Sequence, residues 1–168
     1  MDISLKLGIL LIATLLTGLS AGLCFTWTNA VTIGIGKLDN LGYLHAFQQM
    51  NRTIINPTFI LVFFGPFILQ AISLFLWKDS TSTITTLLGS IILLYFFGLV
   101  LVTIFGNVPL NEILDKTNLA EASVNDLQNL RNQFEIKWNR LHFIRTLTSI
   151  LSFGLLLITL IKVLQHKF

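Results

Sequence analysis

The chain has 168 residues, of which 54% are hydrophobic and only 11% are charged, and its mean hydropathy is +0.78. Soluble domains carry about 25% charged residues, so a surface this poor in charge excludes a soluble globular protein. The net charge of +3 is spread along the chain and forms no basic patch. We therefore expect the lipid bilayer, and no nucleic acid, as a partner of a single membrane domain over residues 1–168.

Long gaps between charged residues indicate where the chain crosses the membrane. A hydrocarbon core about 30 Å thick needs roughly 20 helical residues. Three uncharged gaps exceed that length and predict membrane helices over about residues 4–35, 55–77 and 82–105. The shorter gap between Arg145 and Lys162 predicts a fourth, over about 143–164. Such a short span requires that one of these cations snorkels to the headgroups, or that Arg145 lies inside protein.

The segments between these spans contain further helix signals. An apolar residue recurs about every third position within residues 40–53, which predicts a short amphipathic helix at the membrane interface. Asn56 precedes Pro57, a combination typical of a helix N-terminus. Val108-Pro109 indicates the end of the third span.

A long helix is predicted for the polar C-terminal third of the chain. Ser123 and Asp126 resemble a capping box, and an apolar stripe follows it at three- and four-residue steps. We expect one helix from about 124 to 164, whose first half, 124–142, stands outside the bilayer. The predicted fold is an all-α integral membrane four-helix bundle with an interfacial amphipathic helix and this extended extramembrane half of the last helix.

The orientation of the bundle follows from its basic residues. Four spans place both termini on one face of the membrane, together with four Lys residues. The opposite face has seven Lys and Arg residues, but the positive-inside rule discounts several of them because they lie in a long folded segment, so the count is close to balanced. The balance predicts a multi-pass protein of the cell membrane with its termini in the cytoplasm. The oligomeric state stays open, and a homo-oligomer is compatible with the sequence.

Polar and aromatic residues gather at one end of this predicted bundle. A mostly apolar cavity mouth with a few polar groups suits a flat, small hydrophobic aromatic ligand that carries oxygen atoms. His142 and Arg145 lie three positions apart and share a helix face, which makes His142 a candidate catalytic residue and Arg145 a candidate for ligand contact. The predicted substrate-binding residues are Trp27, Asn51, Asn56, Asn107, Asn111 and Trp138.

Several of these residues also have a purely structural interpretation. Asn56 can act as a helix cap alone, and Asn107 can satisfy the backbone around the Val108-Pro109 break. Arg145 can pair with Glu112 or Asp115 instead of a ligand. His142 can be an interfacial hydrogen-bonding residue.

Metal chemistry has little support in the sequence. Three His and one Cys occur, with no closely spaced pair of ligands, so we expect no metal. Haem held by His45 and His142 is the alternative. The first three uncharged gaps contain no ionisable residue deep in the membrane, which argues against a proton-coupled pump.

Four segments together resemble a known membrane family. They are GLCFTWTNAV (22–31), MNRTIINPTF (50–59), NVPLN (107–111) and KWNRLHFIRT (137–146). In this combination and order they are similar to the anthrone oxygenase-like family, and the resemblance extends from about Gly18 to Leu160. Family members often carry Asn where this chain has His142, whereas Arg145-Thr146 matches.

The resemblance implies a chemistry. Fungal members are associated with oxidation of anthrones to anthraquinones, whereas most bacterial members have no assigned reaction. An oxygenase of this kind needs no cofactor beyond O2 as co-substrate. His142 would then remove a proton from the substrate, and Arg145 with the asparagines would stabilise the anion. The alternative is a non-catalytic membrane protein that binds a lipid or a quinone, or that scaffolds a partner through its last helix.

Overall fold

The computed structural model describes residues 4–165, and all regular structure within this range is helical. The termini, for which a cytoplasmic location is predicted, lie outside the described residues. We number the helices α1 to α5, counting each helix together with any π-helical segment inside it. They are α1 (Leu5–Ile35), α2 (Asn40–Ile54), α3 (Pro57–Leu76), α4 (Ser82–Lys116) and α5 (Val124–Gln165).

The predicted membrane bundle is confirmed. Helices α1, α3, α4 and α5 are each long and apolar enough to cross a membrane. α1 packs against α3 and α5, and α5 also packs against α4. Large apolar side chains cover the outside of these helices, as contact with lipid requires; examples are Leu15, Ile68, Leu93 and Leu151.

Two helices begin where the sequence predicts. The Asn56 side chain accepts a hydrogen bond from the Phe59 amide at 3.0 Å, directly before the helical residue Pro57. At the start of α5, Ser123 Oγ accepts from the Asp126 amide at 3.2 Å, and the Asp126 carboxylate accepts from the Ser123 amide at 3.3 Å. Each cap satisfies backbone donors that the first helical turn leaves open.

The prediction that the third helix ends at about residue 105 is wrong, because α4 continues to Lys116. The helix widens into two π-helical segments, Phe96–Leu101 and Thr103–Asn107. The Val108 amide bonds to the carbonyl of Thr103, five residues back. This wider register makes room for the ring of Pro109, which would clash with a carbonyl of a regular α-helix.

α5 is unbroken over 42 residues, or about 60 Å. The apolar stripe on its first half does not face solvent, because it packs against α2 and the end of α4. The buried residues of this outer core are Tyr43, Leu44, Phe47, Leu114, Leu119, Leu127, Phe134 and Trp138. The outer half of α5 is therefore part of the fold and holds α2 over one end of the bundle.

Small residues bring α4 close to α5 near the same end. A side chain at Gly98 would overlap Thr148, and a Cβ at Gly106 would lie 2.9 Å from the Leu141 side chain. Glycine allows this close approach of two membrane helices.

Polar contacts inside the bundle fix α1, α3 and α4 relative to one another. The Tyr95 hydroxyl lies 2.9 Å from the Phe63 carbonyl and 3.0 Å from the Ser20 hydroxyl. Gln70 donates to the Thr17 hydroxyl at 3.0 Å. Together these contacts hold the helices that form the base of the site described next.

Candidate functional site

A cavity of about 320 Å³ lies at the end of the bundle that α2 covers. This volume is within the range of small-molecule sites, about 300–1,000 Å³. All five helices contribute to its wall: α1 with Leu23, Cys24 and Trp27; α2 and its C-terminal linker with Asn51, Arg52, Ile54 and Ile55; α3 with Phe59; α4 with Thr103, Asn107, Val108, Asn111, Glu112, Asp115 and Lys116; α5 with Trp138, His142 and Arg145.

The structure brings together every predicted site residue except Asn56. Asn56 is exposed and lies outside the cavity wall. Both ends of its side chain are used locally, since Oδ1 accepts from the Phe59 amide and Nδ2 donates to the Thr53 carbonyl at 3.1 Å. The structure thus supports the capping interpretation of Asn56 and gives it no contact with the site.

His142 is held in one tautomer by a backbone carbonyl. The residue is only 3% exposed, and its Nε2 lies 3.1 Å from the carbonyl of Cys24. A carbonyl can only accept, so Nε2 carries the hydrogen. Nδ1 then has a free lone pair, and it finds no hydrogen-bond partner within residues 4–165. The imidazole also stacks on Trp138, with ring centroids 4.7 Å apart, which fixes its plane.

The Cys24 carbonyl reaches His142 because α1 changes register next to it. A π-helical segment, Trp27–Val31, begins one turn after Cys24, and a widened helix can direct carbonyls toward a neighbour. The Thr146 hydroxyl lies 3.3 Å from the same carbonyl. Sequence reasoning missed this group, since a backbone carbonyl leaves no trace in the pattern of residue types.

Arg145 is buried without a counter-ion. The residue is 8% exposed, and within the described chain its guanidinium has no ion pair and no hydrogen bond. Glu112 pairs with Lys116 at 3.5 Å, and Asp115 pairs with Arg52 at 2.6 Å. The predicted alternative, in which Arg145 pairs with one of these acids, is therefore wrong.

An unpaired buried cation is costly to the free protein. Removing a charge from water costs several kcal/mol, and only a partner in the interior offsets that cost. Buried polar groups are nearly always hydrogen-bonded in native proteins, so an exception on the wall of a cavity is a candidate for ligand contact. The guanidinium of Arg145 is thus suited to an oxygen atom, neutral or anionic, of a bound molecule.

The asparagines divide into bonded and unbonded groups. Asn111 accepts from the indole N–H of Trp138 at 2.8 Å, and Asn107 donates to the Trp138 carbonyl at 3.3 Å. Oδ1 of Asn107 and Nδ2 of Asn51 are buried and have no partner among the described residues. Asn107 thus bonds to α5, and the π-helical register accommodates the Val108-Pro109 break instead. Unpaired donors and acceptors are therefore both present at the cavity wall.

Charged residues form the cavity rim on the side toward α2. Arg52 Nε donates to Asp115 at 2.6 Å, and both side chains are half exposed. Glu112 and Lys116 lie on the same side and are largely exposed. The pairing of Arg52 with Asp115 depends on the continuation of α4 past Pro109, which was not predicted.

The haem alternative needs His45 and His142 close together, and the structure separates them. His45 is exposed on α2 and lines a shallow surface depression outside the cavity. Within residues 4–165 there is no group of three or more His, Cys, Asp or Glu residues placed to hold a metal ion.

Comparison with known proteins assigns the chain to a family. A family model described as anthrone oxygenase matches residues 59–155, which is more than half of the 168 residues. No curated protein and no solved structure matches the chain. The matched segment includes Asn107, Asn111, Trp138, His142 and Arg145, whereas Trp27 and Asn51 lie before it. The family match includes two of the four segments that carry the resemblance, 107–111 and 137–146, and covers more than half of the chain, so the chain belongs to the anthrone oxygenase family.

Proposed function

We propose that this protein is a membrane enzyme that oxidises a small, hydrophobic, anthrone-like aromatic ketone with O2 and without a cofactor. One observation carries the proposal: an unpaired buried guanidinium, Arg145, lies one helical turn from His142, an imidazole with a free lone pair, on the wall of a largely apolar cavity. The two groups supply a cation and a base to one bound molecule.

The first step is removal of a proton from the substrate's central methylene. The electron pair of the broken C–H bond delocalises through the rings onto the keto oxygen, which becomes phenolate-like. Nδ1 of His142 accepts the proton. The Cys24 carbonyl then bonds to a cationic imidazolium through Nε2–H, and such a charge-assisted bond is stronger than a neutral one.

Arg145 stabilises the negative charge that develops on the keto oxygen. Its guanidinium is already largely buried in the cavity wall, so little solvent has to reorganise when the charge appears. The unpaired amide of Asn51 is a second donor for the same molecule. Apolar walls, including Leu23 and Phe59, keep water away and strengthen both interactions.

The second step uses O2 as the only oxidant. The substrate anion transfers an electron to O2, and the resulting radicals join to form a C–O bond. The peroxide takes a proton back from the imidazolium. Loss of the second methylene proton, with cleavage of the O–O bond, releases water and leaves a carbonyl. The net change is CH2 + O2 → C=O + H2O, so no reductant is required.

The structure favours this proposal over a scaffold. A scaffold would have its polar cluster saturated by internal bonds, and it would present the apolar stripe of α5 to a partner. Here the cavity wall carries unpaired polar atoms, and the stripe is buried against α2. A binding protein for a quinone or a lipid would use the same cavity without turnover, which makes it the alternative that the experiment must separate.

We also retain two proposals from the sequence. The balance of basic residues favours a protein of the cell membrane with its termini in the cytoplasm. The ligand is a small hydrophobic aromatic molecule, and the bilayer is the second partner.

Oxygen uptake by the detergent-purified protein with a hydroxylated anthrone tests the proposal. Anthrones also oxidise spontaneously, so only a rate that scales with protein and is absent after heat inactivation counts. His142→Gln keeps a donor for the Cys24 carbonyl but lacks the base, and we expect a loss of about 10²–10⁴ in rate. Substrate deuterated at the methylene should react more slowly with the parent protein.

The matched control is His45→Gln, at an exposed histidine outside the cavity, which should keep the parent rate. Full activity of His142→Gln would remove the base assignment. No rate above the heat-inactivated control, with the anthrone still bound, would replace the enzyme by the binding-protein alternative.

A further inference from the structure

The cavity has two chemically different sides. Charged side chains border it toward the outer ends of α2 and α4, where Arg52 pairs with Asp115. On the side between α3 and α4, its wall consists of apolar side chains, namely those of Ile55, Phe59 and Val108. Ile55 is 73% exposed, so the apolar side reaches the outer surface of the protein.

Helices α3 and α4 separate as they approach this apolar side. They pack closely along the first part of α4, Ser82–Tyr95, and beyond it the remaining contacts are between side chains of a cluster that includes Phe63, Leu99 and Val100. One of these is the stacking of Phe67 on Phe96, with ring centroids 5.0 Å apart. The separation begins where α4 becomes π-helical, at Phe96. The backbones of α3 and α4 are therefore further apart at the level of the cavity, and side chains of this cluster fill part of the gap between them.

This gap lies near the edge of the hydrocarbon layer. α3 has 20 residues, a length of about 30 Å that equals the hydrocarbon thickness. Phe59 is in its first turn, and so it lies just inside that layer. The neighbouring Phe105 on α4 is 76% exposed, as expected for a side chain that faces acyl chains.

We propose that the cavity is loaded from the bilayer through this gap, called here the α3–α4 portal and bordered by Ile55, Phe59 and Val108. The Arg52–Asp115 ion pair closes the aqueous side. A neutral fused-ring molecule concentrates in the membrane near the headgroups, where it already lies outside bulk water. The inference rests on the proposed function for the identity of the ligand, and it restricts the substrate to neutral aromatics that partition into membranes.

Stopped-flow quenching of site tryptophans tests the portal without any turnover. Trp27 and Trp138 line the cavity, and replacement of the distant Trp77 by Phe leaves them as the reporters. The protein is placed in phosphatidylcholine vesicles and mixed with 1,8-dihydroxyanthraquinone, a stable neutral probe. Anthraquinone-2-sulfonate, which stays in water, is the comparison probe. The neutral probe should quench, and the sulfonate should not.

Ile55→Phe with Val108→Phe narrows the portal, and we expect it to slow quenching by the neutral probe about tenfold. Leu151→Phe, at a lipid-exposed position of α5 away from the cavity, is the matched control and should load at the parent rate. Arg52→Ala with Asp115→Ala opens the aqueous side, and it should change the rate less than the portal variant does.

The outcomes distinguish a failure of the portal from a failure of the proposed function. A portal variant that loads as fast as the control, or a larger effect from the Arg52 and Asp115 changes, would overturn the portal alone. Quenching by the sulfonate as fast as by the neutral probe would do the same. No quenching by either probe, together with no oxygen uptake, would overturn the proposed function, and the portal with it.

Discussion

Two arginines on α5 have opposite environments. Arg131 lies in the outer half of the helix, and Arg145 lies on the cavity wall. Arg131 donates to the carbonyls of Gly36 and Leu38 at 2.7 and 2.8 Å and to the Glu135 carboxylate at 2.8 Å. Arg145 is more deeply buried, yet its guanidinium has no partner among the described residues. The first arginine closes the connection between α1 and α2, whereas the second faces the cavity.

The two environments have opposite effects on the stability of the folded protein. The guanidinium of Arg131 also lies 4.4 Å from the centre of the Tyr43 ring, so every face of it is compensated. Arg145 is largely buried and has no ion pair among the described residues, which lowers the stability of the free protein. A residue that is unfavourable for folding is retained where function needs it.

The largest expected effect comes from Arg145→Met, which removes the charge and keeps an apolar side chain of similar length. We expect oxygen-dependent turnover to fall by about 10²–10³, the cost of losing one oxyanion donor. The free energy of unfolding should rise by about 1–4 kcal/mol, the range found when apolar residues replace buried ionic groups. Oxygen uptake and denaturant unfolding in detergent measure the two effects.

A loss of stability in Arg145→Met would contradict this account, because it would mean that the guanidinium has a structural partner. Arg145→Lys is the matched variant, since it keeps the charge without the planar fork. We expect it to keep part of the activity and none of the added stability.

The second prediction concerns Arg131→Met, which should have the opposite profile. Loss of hydrogen bonds from a charged donor to two carbonyls lowers the free energy of unfolding by about 1.5–3 kcal/mol. Turnover per folded molecule should stay at the parent value, because Arg131 does not line the cavity. Lys137→Met, at an exposed position of the same helix, is the control for charge removal. Equal stability of the two variants would show that the contacts of Arg131 contribute nothing.

Much of the fold could be predicted from the sequence, because lipid solvation acts on residue types directly. The absence of charge over long stretches indicated four membrane helices. Local rules also held, since Asn56 and Ser123 cap the helices that follow them. Pro109 was misread because its usual effect is to end a helix, and the π-helical register that accommodates it depends on packing against α5.

The location of the site could be predicted from the sequence, whereas the contacts of its side chains could not. Four spans of known order place Asn51, Asn107 and His142 at the same end of the bundle, and the structure confirms that they line one cavity. Whether a polar side chain is paired depends on neighbours far along the chain. The carbonyl that orients His142 comes from Cys24, and the acids near Arg145 are taken by Arg52 and Lys116.

The smallest expected effects distinguish two asparagines five positions apart, one on each side of the α2–α3 corner. Asn51 lines the cavity with an unpaired amide, whereas Asn56 caps α3 with both ends of its side chain bonded. Asn51→Leu should raise KM about fivefold, which corresponds to one hydrogen bond of about 1 kcal/mol, and leave stability close to the parent. Asn56→Ala should lower the free energy of unfolding by about 1 kcal/mol through loss of the cap and leave KM unchanged. KM from oxygen uptake and unfolding in denaturant, measured on both variants, complete the comparison. A higher KM in Asn56→Ala would return that residue to the site, because the loss of a cap changes only how much protein is folded.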